Sequence, residues 1–180
     1  MVRASSQFAD ATAGVVWIHS APAALCPHVE WALTSALSSP AKLRWTTQPV
    51  DGHLRASSDW IGPVGTAGRI AQSLRSWPVL RFEVTEEPSD GVDGERYSFS
   101  PVLGLWRGAV SANGDVMVGE NRLRSMLQSA RSEGKRSGYD LAAEIDRAMG
   151  TPWDEDLEAF RSGDDDAVGA EVTWLRRDVG

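Results

Sequence analysis

The spacing of apolar and polar positions changes period along the chain. Gly14–His19 reads Gly-Val-Val-Trp-Ile-His, a β-branched run typical of a buried strand. Ser20-Ala21-Pro22 interrupts it. Leu25, Val29, Leu33 and Leu37 then recur at every fourth position, one face of a helix over 23–38. Proline is tolerated only in a helix's first turn, so Pro27 puts the start at Cys26 or Pro27. Leu43–Gln48 alternates as a half-exposed strand, Asp51-Gly52 suits a hairpin turn, and Leu54–Trp60 reads as the return strand. A second helix is expected over 64–76, with Val64, Ile70, Ala71 and Leu74 inward, and Val79–Val84 alternates again.

This order, β-α-β-β-α-β over residues 14–85, is the ferredoxin-like split βαβ arrangement. Arg96–Ser100, Leu103–Val110 and Val116–Val118 predict further antiparallel strands over 95–118, the last pair joined at Asn113-Gly114. From 119 to 180 the pattern becomes helical. One helix is expected over 119–132 with Leu123, Met126, Leu127 and Ala130 on one face, and a second over 139–149 through Leu141, Ile145 and Met149, closed by Gly150. Thr151-Pro152-Trp153-Asp154 marks a third start, with Thr as N-cap, Pro in the first turn and acids at the positive end of the dipole. Ala170–Leu175 reads as a strand returning to the sheet. The expected fold class is therefore α+β, in one domain over 1–180.

Charge changes this picture in one place. The chain of 180 residues carries 25 acidic and 18 basic side chains, net -7. Residues 151–180 hold 9 of the acids and 3 of the basic groups, so the acidity belongs to the C-terminal section. This balance argues against a phosphate-coating nucleic-acid binder. No apolar run is long enough for a membrane span, and 1–14 has no apolar core of a secretory signal, so a cytoplasmic location is expected. The basic stretch Arg122, Arg124, Arg131, Lys135, Arg136 is expected to pair with the acidic section or to dock an acidic partner.

Candidate chemistry is sparse. Gly62-x-x-Gly65-x-x-Gly68 opens a helix and is followed by Arg69; free N–H groups there, with Thr66 and Arg69, are candidate ligands for an anion. The spacing matches neither a P-loop nor G-x-G-x-x-G, and close packing at a strand-to-helix turn explains it equally. His19, Cys26, His28 and Glu30 lie within twelve residues. A thiol at a helix N-terminus next to His28 would be a nucleophile pair, whereas a buried thiol and a hydrogen-bonded histidine are the plainer expectation. A single cysteine rules out an intrachain disulfide and a cysteine-rich zinc site, so no metal and no cofactor is expected. Glu86, Glu87, Asp90, Asp93 and Glu95 lack the ligand spacing of a calcium loop, as does Asp164-Asp165-Asp166; both read as solvated loops.

Four stretches, QFADATAGVVWIHSAPAALCPHVEWALTSAL, WIGPVGTAGRIAQSLRSWPVLRFEVTEE, LGLWRGAVSANGDVMVGENRLR and GAEVTWLRRDVG, resemble the actinobacterial family catalogued as domain of unknown function 3145. The resemblance implies a cytosolic actinobacterial protein, in line with 16 Arg against 2 Lys, and an accessory role in acyl-lipid metabolism; it brings no catalytic residue. The leading expectation is a non-catalytic module binding a protein partner or a small anionic ligand. The alternatives are an enzyme using Gly62–Arg69 with Cys26 or His28, and a structural homo-oligomer.

Overall fold

The computed structural model describes residues 11–133 and 140–161. Seven antiparallel strands form one sheet: β1 (Ala11–Ala21), β2 (Thr46–Thr47), β3 (Leu54–Pro63), β4 (Arg81–Glu86), β5 (Gly94–Ser100), β6 (Gly104–Val110) and β7 (Val116–Met117). Their spatial order is β2-β3-β1-β4-β5-β6-β7. β1 thus sits between β3 and β4, and β5 to β7 extend the β4 side by successive hairpins. Helices α1 (Cys26–Leu37) and α2 (Thr66–Leu74) complete the predicted β-α-β-β-α-β order, and α3 (Glu120–Glu133), α4 (Leu141–Met149) and α5 (Thr151–Arg161) follow. The class is α+β, as expected. No helix among the described residues is long and apolar enough to cross a membrane. The expected strand 170–175 lies outside the described residues.

The main core lies between the sheet and α1/α2. Val16, Ile18, Phe82, Val84, Tyr97 and Phe99 alternate along their strands onto this face and meet Val29, Leu33, Ile70 and Leu74. Phe82 and Phe99 stack across β4 and β5 at 5.1 Å. Gly14 is required in β1 because a Cβ there would stand 1.9 Å from the Thr85 carbonyl and 2.4 Å from the Trp60 ring, which lies across it. α1 begins at Cys26 with Pro27 in its first turn, as read from the sequence. Between Leu37 and β2 the chain pairs only at Thr46–Thr47, a shorter strand than the alternation of 43–48 predicts. Glu30 explains the difference: its carboxylate accepts from the Leu43 N–H and the Trp45 indole, both at 3.0 Å, and ties this stretch to α1 instead of to the sheet.

Other inward assignments change. Val64 precedes α2 and is exposed, and on α3 Met126 is buried while Leu123 and Leu127 are exposed. Gly150 ends α4 with φ 90°, the left-handed turn expected of it, and packs against Trp106.

β1 carries a bulge. From Ile18 to Ser20 it advances two residues while β4 advances one, from Phe82 to Arg81. The period-two alternation breaks there, and four consecutive residues, Ile18 to Ala21, are buried. His19 follows the core-facing Ile18, so alternation aims it, with Trp17, at the sheet face opposite α1 and α2, which α5 partly covers.

Candidate functional site

On that second face, polar side chains from three strands and one helix converge on Glu83. Glu83 is 6% exposed. Its carboxylate accepts from His19 Nε2 at 2.8 Å, from Arg161 Nε at 2.8 Å and Nη2 at 2.6 Å, from Arg96 Nη2 at 2.8 Å and Nε at 3.3 Å, and from the Ser98 hydroxyl at 3.3 Å. Asp154, in the first turn of α5, accepts through one oxygen from both Arg96 and Arg161, the latter at 2.7 Å. Arg81 stands beside Asp156 at 3.6 Å, with its guanidinium 4.3 Å from the centre of the Phe160 ring. Asp154 and Asp156 of α5 are therefore met by arginines of β4, β5 and α5 itself. These pairs do not involve Arg122, Arg124 or Arg131 of the basic stretch; on α3, Arg124 pairs with Glu120 one turn away.

The elements explain the convergence. β4 alternates, so Phe82 and Val84 enter the core and Glu83 and Thr85 face the other way. Arg96 and Ser98 do the same on β5. α5 docks through Trp153 and Leu157, buried at 5% and 0%, and the Trp153 indole donates to the Gly104 carbonyl at 2.9 Å. Asp154 and Arg161 sit seven residues apart on α5, two turns along one face, and so reach the same carboxylate cluster. Gln48, fully buried, pins the join: its amide donates to the His19 carbonyl at 2.7 Å and to the Phe160 carbonyl at 3.1 Å.

Beside this cluster opens a cavity of about 360 Å³ lined by Trp17, His19, Glu83, Thr85, Arg96 and Arg161. Its size falls within the range of roughly 300–1,000 Å³ typical of small-molecule sites. Burial alone would push the Glu83 carboxyl up, but hydrogen bonds and charge from His19 and Arg161 outweigh it and hold the group well below the usual carboxylate range. Burial pulls Arg161 down, and Glu83 and Asp154 more than reverse that. A carboxylate offers about four lone-pair positions. Those of Glu83 are saturated by fixed donors, so it stays ionised and has no capacity left to take a substrate proton near neutral pH.

Apart from His19, the sequence-predicted candidates fall elsewhere. His19 belongs to the cluster just described. Cys26 is buried, with its thiol 3.8 Å from the Pro22 carbonyl; burial and then the Glu30 charge raise its pKa, the reverse of the activation expected at a helix start. His28 is exposed, 6.3 Å ring to ring from Trp77, and no hydrogen bond joins it to Cys26 among the described residues. Gly65, Gly68 and Arg69 share an open hollow between α1 and α2 with Ser35 and Gln72; neither Cys26 nor His28 lines it. Gly62 lies outside that hollow, on β3 against the Thr66 side chain. The Thr66 hydroxyl, fully buried, donates to the Pro63 carbonyl at 2.6 Å and accepts from Arg69 at 2.7 Å. The start of α2 already holds an anion. Glu86 accepts from the Gly65 N–H at 2.7 Å and the Ala67 N–H at 2.8 Å. The helix N-terminus thus attracts negative charge as expected, but the charge belongs to β4 of the same chain. Glu86→Ala is expected to cost about 1–2 kcal/mol of stability, the range of a lost N-cap, measured by urea unfolding; an unchanged midpoint would show that Glu86 is not a cap.

Of the acidic loop 86–95, Glu86 is buried in β4, and Glu95 accepts from the Tyr97 hydroxyl at 2.5 Å and from Arg107. No group of three or more metal-ligating side chains occurs among the described residues. Ser20, His53 and Asp51 also meet, but not as a catalytic triad. The Ser20 hydroxyl donates to Asp51 at 2.5 Å, His53 turns Nδ1 toward both of them at 3.0 and 3.3 Å, and Ser20 has no exposed surface. A triad needs the acid behind the imidazole, on its other nitrogen. Here Asp51 also accepts from the backbone N–H of His53 at 3.0 Å, which makes it the brace of the turn.

Residues 15–177 match the family described as protein of unknown function, DUF3145. The chain belongs to this family. The match takes in every residue of the Glu83 cluster, from His19 to Arg161, as well as Trp17 and Thr85. No curated protein and no solved structure matches this DUF3145 chain.

Proposed function

We propose that this DUF3145 protein is a non-catalytic ligand-binding module whose site is the cavity over Glu83. The carrying observation is the cavity's floor, a buried ion cluster whose central carboxylate is already saturated. Such a floor offers fixed hydrogen-bond donors and one aromatic wall, Trp17, and it offers no nucleophile with a free base beside it. The enzyme alternative asks Cys26 or His28 to act with the Gly62–Arg69 loop, and neither residue lines the hollow beside Gly65, Gly68 and Arg69.

The test is a nitrogen-15 NMR titration of the full chain with a library of small fragments. Amides of Trp17, Thr85 and Arg96 are expected to shift together and saturably. Shifts confined to the hollow between α1 and α2, or no saturable shift with any fragment, would overturn the reading.

A further inference from the structure

Resting on that binding reading, we infer that the cavity recognises a small organic monocarboxylate, which takes the place Asp154 holds between Arg96 and Arg161. One oxygen of Asp154 accepts from both guanidiniums, so two arginines that line the cavity are already arranged around a carboxylate oxygen. The two acids of the cluster are unequal. Glu83 has an 8% exposed side chain and donors from four residues, whereas the Asp154 side chain is 37% exposed and has donors from two. Asp154 is therefore the carboxylate that water, or another anion, can replace at the smaller cost.

Charge narrows the class of ligand to an anion. With Asp154 turned out to solvent, Arg96 and Arg161 outweigh Glu83 by one positive charge before any charge on His19 is added. A carboxylate, the group these two forks already hold, answers that charge, and a neutral amide leaves it buried and uncompensated. Glu158, 3.3 Å from Arg161 and 69% exposed, is largely screened by water and does little to offset it. Trp17 and the Thr85 methyl supply an apolar wall, and the volume of about 360 Å³ suits a ligand of modest size. Arg161 and Asp154 both belong to α5, so exchanging Asp154 for a ligand carboxylate removes one tie of that helix to Arg96 of β5, while Trp153 stays on Gly104 and Arg161 on Glu83.

The test compares acid and amide pairs of one shape, benzoate with benzamide and hexanoate with hexanamide, at millimolar concentration on the intact chain. The readout is the NMR shift of Trp17 and Thr85. The acids are expected to bind at least about tenfold more tightly than their amides, the worth of one charge-assisted pair. Asp154→Asn, which removes the competing carboxylate, is expected to strengthen the acids by a further factor of about ten and to leave the amides unchanged. Amides binding as well as acids would overturn the carboxylate inference and leave the binding reading standing. Fragments of any kind failing to shift Trp17 would remove both. The wild-type acid–amide comparison needs no variant, so it decides even if Asp154→Asn folds poorly.

Discussion

Glu83→Ala is expected to lower the free energy of unfolding by about 3 kcal/mol, the lower end of the cost of removing one partner from a buried ion cluster. The variant keeps His19, Arg96 and Arg161 facing a hole in place of the acceptor that all three share. Asp154 retains one contact to each arginine, which sets the loss at the lower end. The pH dependence gives an independent check. The fold holds the Glu83 carboxyl well below its ordinary 4.5, so the unfolded chain takes up that proton first. The stabilisation is therefore complete above about pH 4.5 and declines as the pH falls below it. Urea unfolding of both proteins between neutral and acid pH is expected to show their difference shrinking through that window. A constant difference, or a loss under about 1 kcal/mol at neutral pH, would mean that the cluster does not anchor the fold.

Leu157→Ala is expected to cost about 3 kcal/mol, within the range for emptying a buried leucine site. Leu157 has no exposed surface and, with Trp153, supplies the apolar part of the α5 contact with the sheet. Two interactions of different kinds thus seat α5, an apolar one on Leu157 and Trp153 and an ionic one on Asp154 and Arg161. High salt is expected to weaken the second and spare the first. If Leu157→Ala changed the urea midpoint no more than an exposed substitution does, the helix would be held by its charges alone.

The sheet and its helices were legible because their apolar positions follow single periods. Val16 and Ile18 alternate, as do Phe82 and Val84, and Val29 and Leu33 repeat at helical spacing; all of them enter the core where that pattern puts them. The errors arose where tertiary contacts outweigh the local pattern. Leu43 and Trp45 alternate like a strand, yet Glu30 binds their donors, and it is thirteen residues from the first. Leu123 and Leu127 share a helix face with Met126, yet they are exposed among the described residues.

The site was largely illegible for a related reason. An alternating strand says which residues face away from the core, and Glu83 and Arg96 were readable as such. It does not say whether the outward face meets water or another helix. The available signal lay in α5, where Asp154 and Arg161 flank the apolar pair Trp153 and Leu157, so a charged and an apolar stripe point the same way. Nearness in sequence groups His19 with Cys26 and His28. Its partner, Glu83, is 64 residues away.

The extra residue in β1 separates what the sheet needs from what the site needs. Between Gly14 and Ile18, removing one residue would turn the rest of the strand inside out, since a slip of one exchanges its faces. At His19-Ser20 the count already exceeds that of the neighbouring strand by one. A chain shortened there would recover a regular ladder from Ile18 onward, at the cost of the imidazole on Glu83 if His19 goes or of the hydroxyl on Asp51 if Ser20 goes. A one-residue deletion at this point is therefore expected to disturb the strand less than one between Gly14 and Ile18.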